Sequence, residues 1–383
     1  MRITQENRLF IIGFFFSFCI ALAAYLNASY LKQFLSVEQV GFIYSITAFL
    51  TIVLLYFFEY LGSKYGVQKT LIASLLLAGL ASLSLSTQVS VPIVIISFIV
   101  MQMSLVITKF STDILVETHK NVSQGEGTLR GAYLSITNMS WIVAAFLGGF
   151  IATANPQYIY GINGVVYITI ALLSLFIISE TQKDFFTQSS LFEKVRYSFK
   201  EVGTRKIIVS EFVLQTFYTI MVVFTPLYLH EELGFSLATI GIIFSIMLIP
   251  FAVLQYPIGR IADKFLGEKE LLMLSYLTIF GSVLCFALVK NPSVYLVACI
   301  LFITRIGACT LEVMNDTYFF SSTKEYTKSI PIFKGMAPFA LLIFGTVGAL
   351  ILEFSSYQTL FTLLAIFVLL VGMTNTYDLK DTK

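Results

Sequence analysis

Gly41-Phe42-Ile43-Tyr44-Ser45-Ile46 is answered two hundred residues later by Gly241-Ile242-Ile243-Phe244-Ser245-Ile246. Working outward from this pair, Tyr30-Leu31 upstream is echoed by Tyr228-Leu229. Downstream, Gly62-Ser63-Lys64-Tyr65-Gly66-Val67-Gln68-Lys69 is echoed by Ala262-Asp263-Lys264-Phe265-Leu266-Gly267-Glu268-Lys269, with one extra residue allowed. Further on, Ile107-Thr108-Lys109 returns as Ile303-Thr304-Arg305. Chance supplies any one such match, but not a series in the same order. The chain reads as a duplication, with an N-terminal half over 1–180, a connecting loop over 181–206 and a C-terminal half over 207–383.

The solvent for which the halves are built follows from composition. Of 383 residues, 57% are hydrophobic and 12% charged, whereas a soluble domain carries about 25% charged residues. There is too little polar surface to coat a soluble globule, so the solvent is lipid. A helix needs ~20 apolar residues to cross the hydrocarbon. Spans are predicted near 9–31, 37–61, 68–87, 91–117, 129–153, 159–179, 206–229, 236–259, 270–289, 293–320, 331–352 and 355–375. Breakers mark the joints: Gly66, Pro92, Asn155-Pro156, Asn291-Pro292 and Pro331. The first run is too long for a signal-peptide core and reads as a spanning helix. Lysine and arginine gather on alternate loops, leaving only Lys32 and Lys290 on the other side. By the positive-inside rule both termini and the 181–206 loop are expected in the cytoplasm, in a multi-pass plasma or inner membrane protein. The cysteines Cys19, Cys285, Cys299 and Cys309 all fall in apolar runs without paired spacing, and are expected as small buried hydrophobes rather than metal ligands.

Twelve spans in two like-oriented halves place a substrate site between the repeats in many transporters. Over essentially its whole length the chain resembles the major facilitator superfamily. The most specific feature is Gly259-Arg260-Ile261-Ala262-Asp263-Lys264-Phe265-Leu266-Gly267-Glu268-Lys269, similar to that family's signature loop of Gly, three residues, Asp, a basic residue, Gly and a further basic residue. Gly259 is expected to permit close helix approach and Gly267 a tight turn, while Asp263 accepts from a basic side chain or a helix N-terminus. The resemblance implies that Gly259, Asp263, Lys264, Gly267 and Lys269, with Gly66 in the first copy, form a state-dependent latch. The first copy departs from the pattern, with Glu59 at the leading glycine position and Ser63 at the aspartate. Arg305-Ile306-Gly307-Ala308 and Arg130-Gly131-Ala132 are similar to family patterns on and after the fourth and tenth helices.

Charges inside a span cost at least ~2.5 kcal/mol each and need a partner, a wet cavity or a purpose. On span four, Gln102, Lys109, Asp113 and Glu117 share one stripe. Arg305, Cys309, Glu312 and Asp316 do so on span ten, and Glu211, Gln215 and Tyr218 on span seven. Span one offers Asn27. In the resembled family the first, fourth, seventh and tenth helices line the cavity, so Lys109, Asp113, Arg305, Glu312, Glu211, Gln215 and Asn27 are the substrate and coupling candidates. A plainer account stands beside this one. Lys109 and Asp113 are spaced as an i,i+4 ion pair, and Glu117, Glu211 and Asp316 fall where an inner interface tolerates charge. The basic residues at the repeat-related positions Lys109 and Arg305 hint at an anionic group on the substrate.

These features point to a secondary transporter working by alternating access, with a small-molecule substrate, a proton as coupling ion and lipid as surroundings. The chain is expected to act as a monomer, without cofactor, metal, nucleic acid or catalytic residue. No Gly-x-x-x-x-Gly-Lys-Ser/Thr phosphate loop exists to power it with ATP. A membrane-embedded transferase would need clustered His, Asp or Ser, and His119 and His230 are far apart. An uncoupled facilitator and a non-transporting sensor or assembly protein on the same fold are the alternatives.

Overall fold

The computed structural model describes residues 5–87, 90–118, 126–177, 191–264, 267–290, 292–322 and 326–379. Among them every regular element is a helix. The chain runs through α1 (Gln5–Ala24), α2 (Asn27–Leu31), α3 (Val37–Tyr65), α4 (Val67–Thr87), α5 (Val91–Thr118), α6 (Glu126–Ala154), α7 (Gln157–Ile177) and α8 (Leu191–Lys200). It continues through α9 (Val202–Leu227), α10 (Leu237–Val253), α11 (Gln255–Lys264), α12 (Glu268–Leu288), α13 (Val294–Ser322), α14 (Tyr326–Lys334), α15 (Met336–Phe354) and α16 (Tyr357–Thr376). Ten helical segments among the described residues are long and apolar enough to cross a bilayer. Two shorter apolar helices, Phe10–Ala24 and Leu237–Val253, complete the twelve spans of a multi-pass membrane protein.

The chain divides into two compact units, one of Met1–Phe34, Thr47–Gln188 and Ser236–Ile242, the other of Leu35–Ile46, Ser189–Phe235 and Ile243–Lys383. Their internal packing follows one plan. In the first, α4 packs along α5 and α7 while α1 packs along α6. In the second, α12 packs along α13 and α16 while α9 packs along α15. The third span therefore lies on the fourth and sixth, and the first on the fifth, in both copies.

The repeated Gly-x-x-x-Ser segments acquire a physical meaning here. Within the second unit, a Cβ on Gly41 would stand 2.5 Å from Ala349 Cβ and 2.6 Å from the Gly345 carbonyl, and Ser45 Oγ faces Gly345 one turn on. Within the first unit, a Cβ on Gly241 would meet the Ala145 carbonyl and Gly149 Cα, each at 2.8 Å. Both are small-x-x-x-small crossings, in which backbones approach closely enough for dispersion to hold helices that lipid does not drive together.

Several spans carry local irregularities that the sequence reading does not place. Proline lacks the N–H that a helix interior needs, and Pro226 precedes a π-helical turn at Tyr228–Glu232 while Pro250 precedes the joint between α10 and α11. The eleventh span, Pro331–Phe354, is made of two helices. Pro331 does not start a helix there. It lies inside α14, and the helix restarts after Gly335, whose N–H bonds the Pro331 carbonyl at 2.9 Å. Within the charged 181–206 connection the structure adds α8, which packs on α14 through a Ser198–Ser329 hydroxyl bond of 3.0 Å. Cys19 and Cys309 are buried, but Cys285 and Cys299 are exposed, contrary to expectation. Burial of a small apolar side chain in a span is optional, because lipid solvates it as well as protein does.

Candidate functional site

The second unit gathers its intramembrane polar side chains where α9 faces α13. Both helices are apolar around most of their girth, so each polar residue must find its partner across the contact. Glu211 on α9 is 6% exposed. Its carboxylate accepts from Gln215 Nε2 at 2.7 Å, one turn on, and from Asn315 Nδ2 of α13 at 2.9 Å. Asn315 Oδ1 in turn accepts from the Ser210 hydroxyl, which also bonds the Tyr276 hydroxyl of α12 at 2.6 Å. A chain of hydrogen bonds thus joins three helices to one carboxylate, whose direct partners are all neutral. Beside it, Asp316 pairs with Lys334 of α14 at 2.9 Å, both half-exposed.

Two turns along α9, the Tyr218 hydroxyl donates to Glu312 Oε2 at 2.8 Å. The Arg305 guanidinium lies 5.2 Å from the Phe217 ring centre and 5.6 Å from that of Tyr218. At 2% exposure it is among the largest fully buried side chains of the protein, and neither its Nε nor its Nη2 has a hydrogen-bond partner. Tyr218 therefore touches both charged groups, and its ring packs on Phe251 at 6.4 Å.

Of the candidates named from sequence, the structure joins Glu211 to Gln215 directly, and brings Arg305 and Glu312 together on Tyr218. Lys109 and Asp113 lie on the exposed side of α5. Asn27 is buried in the first unit, where its Oδ1 accepts from the Tyr160 hydroxyl at 2.8 Å. Nearby, Asn163 Nδ2 donates to the Cys19 carbonyl at 2.8 Å. Sequence reasoning passed over Ser210, Phe217, Tyr276, Asn315 and Lys334. Asn315 lies well off the stripe of Arg305, Glu312 and Asp316, so no one-helix periodicity could have found it. No group of three His, Cys, Asp or Glu side chains able to hold a metal ion occurs among the described residues.

The loop residues divide differently. Gly66 ends α3 with φ of 90°, a left-handed conformation that favours glycine. Gly267 has φ −73° and ψ 166°, extended backbone that any residue adopts, so its own conformation does not require glycine. A Cβ on Gly259 would meet nothing within 4 Å, so close helix approach does not explain that glycine either. Lys269 sits over the Tyr377 ring at 5.5 Å. Lys64 bonds the Tyr60 hydroxyl at 3.1 Å, and the Tyr60 and Tyr65 phenols push its ammonium above the ordinary lysine range. Asp263 and Lys264 end α11, but their side chains lie outside the described residues, as do those of Glu59, Ser63, Glu117, Arg130 and Arg260.

Comparison with known proteins bears on the whole of this architecture. The nucleoside transporter NupG superposes over 98% of this chain and 100% of its own, with a TM-score of 0.83 at 13% identity for a mutant form. A second NupG structure gives 0.80 at 11% identity. At such identities the shared property is the fold. The "Uncharacterized MFS-type transporter YcaD" of Escherichia coli O9:H4 (strain HS) is 26% identical over 161 residues, 42% of this chain and 41% of that protein. The same figures hold for YcaD of Escherichia coli (strain K12 / DH10B). The sequence profile of the Major Facilitator Superfamily matches residues 9–328 and again 228–377. The profile thus covers nearly every span, the second match begins inside the duplicated half, and on that evidence the chain belongs to the Major Facilitator Superfamily.

Proposed function

We propose that the protein is a secondary transporter that moves a small molecule by alternating access and couples that movement to protons. Membership of the superfamily supports transport. Glu211 carries the coupling: it is a buried carboxylate whose hydrogen bonds, among the described residues, come from two neutral amides. An ionised carboxylate in an apolar interior is costly without a paired charge. A group so placed gains from taking up a proton, and its amide partners can serve either protonation state. Glu312, which accepts from the Tyr218 hydroxyl, is the second proton-carrying group on the same helix pair. In this reading the six-helix halves are 1–180 and 207–383, with the 181–206 connection and both termini on the cytoplasmic side of the plasma or inner membrane.

The test is reconstitution into liposomes containing a pH-sensitive dye, with a panel of solutes supplied outside. Wild-type protein is expected to move protons only when its substrate is added. Glu211→Gln should abolish gradient-driven accumulation while preserving exchange of substrate across the membrane. Accumulation in that variant equal to wild type would remove Glu211 from the mechanism. Substrate flux without proton movement would make the protein an uncoupled facilitator, and specific binding without flux a sensor on a transporter fold. NupG's own substrate class does not carry over at 11% to 13% identity, so nucleosides enter the panel as one class among several.

A further inference from the structure

We infer that Arg305 is the docking point for a small organic carboxylate, gripped side-on by its Nε and Nη2 hydrogens where α9 meets α13. The inference deepens the transport reading and rests on it for what happens to the ligand afterwards. Nε–H and Nη2–H leave one edge of the guanidinium in parallel, spaced to meet the two oxygens of a carboxylate. These are the two nitrogens that the structure leaves buried without an acceptor. A buried polar donor is nearly always satisfied, and a charged one inside a membrane span more so. Glu312, seven residues on along the same helix, accepts from Tyr218 through one oxygen, and neither fork nitrogen hydrogen-bonds it. The rings of Phe217 and Tyr218 hold the cation without using any N–H, so the buried fork keeps both hydrogens without an acceptor, and a ligand reaches it when the helix contact opens during transport.

The same surroundings choose among anions. A single guanidinium offers one unit of charge and one planar fork, and Glu312 on the same helix face adds negative charge nearby. A dianion such as phosphate is therefore disfavoured, and a monoanion with two coplanar oxygens fits. Phe217 and Tyr218 offer apolar ring surface beside the guanidinium, with Phe251 packed on Tyr218, so the body of the ligand is apolar or aromatic.

Benzoate is the probe, with benzamide as its neutral isostere and inorganic phosphate as the other oxyanion. Thermal unfolding of the purified full chain in detergent is followed at matched ionic strength, since a ligand that binds the folded state raises its apparent stability. Benzoate is expected to raise Tm saturably at millimolar concentration, and benzamide and phosphate are not. Arg305→Lys keeps the charge but loses the fork, and should weaken the apparent benzoate affinity by about tenfold or more. Glu312→Gln removes the neighbouring negative charge and should tighten it. The inference is overturned by no response to benzoate, by an equal response to benzamide or phosphate, or by undiminished benzoate binding in Arg305→Lys. If Arg305→Lys does not fold, Glu312→Gln decides: unchanged or weaker benzoate binding overturns the proposal. Benzoate binding without flux in liposomes would sink the transport reading and leave the binding site standing. Flux of other solutes without benzoate binding would do the reverse.

Discussion

Arg305 stands in an unusual position for a buried charge: among the described residues no acidic side chain pairs with it, and Tyr218 donates to the neighbouring Glu312. Truncating one member of a true buried ion pair typically costs ~3–5 kcal/mol, because the other charge is stranded, whereas replacing buried charge by an apolar side chain of similar volume is often neutral or stabilising by ~1–4 kcal/mol. The second case applies here. Arg305→Met is expected to keep or raise Tm in a thermal melt while abolishing substrate-dependent proton movement, and a loss of several degrees would mean that an unseen partner depends on the guanidinium. Asn315 invites the opposite expectation. It joins Glu211 to Ser210 and Tyr276, so Asn315→Leu leaves buried polar groups unsatisfied, at ~1–3 kcal/mol for each. A clear drop in Tm with reduced yield should follow, and an unchanged melt would show that the chain of hydrogen bonds is dispensable.

At the scale of elements, the helix crossings make the sharpest forecast. Gly241 lies against the backbone of Ala145 and Gly149, whereas a Cβ at Gly281 on α12 would meet nothing within 4 Å. Gly241→Val must push a pair of helices apart and should destabilise by ~1–3 kcal/mol, the usual range for overpacking. Gly281→Ala should be tolerated, and equal melting temperatures for the two variants would refute the close crossing. The end of α11 makes a functional forecast instead. Asp263→Asn removes a charge while keeping the size of the side chain, so transport should fall while expression and Tm stay near wild type; normal transport would mean that the family's latch does not operate here. Periodicity made the long spans legible, since an apolar stretch of adequate length has few other uses. It could not reveal α8, whose mixed charges look like a loop until Ser198 meets Ser329, nor place Pro331 inside α14, because whether a proline starts or interrupts a helix depends on what that helix packs against.

For the whole molecule, the testable matter is orientation. A cysteine introduced by Ser189→Cys, in a background with the exposed Cys285 and Cys299 replaced by serine, should resist an impermeant maleimide added to intact cells; ready labelling would invert the topology. The number of spans, the duplication and the superfamily were all open to the sequence. They depend on properties that each segment carries by itself: enough apolar length to cross lipid, basic residues on one side, and a repeated order of motifs. Which polar side chains stand out was also legible to a degree, because Glu211, Arg305 and Glu312 interrupt apolar runs. What they touch was not. Lys109 and Arg305 occupy matching places in the repeat, yet one lies on an exposed helix face and the other is buried against two rings. Asn27 stands out in an apolar span, but nothing in its own segment says that it accepts from Tyr160. Contacts between helices distant in the chain are set by how whole faces interdigitate, and that information is spread over every residue of both helices. Only the tertiary structure decided that Glu211 would be met by amides and that the Arg305 fork would be buried without an acceptor.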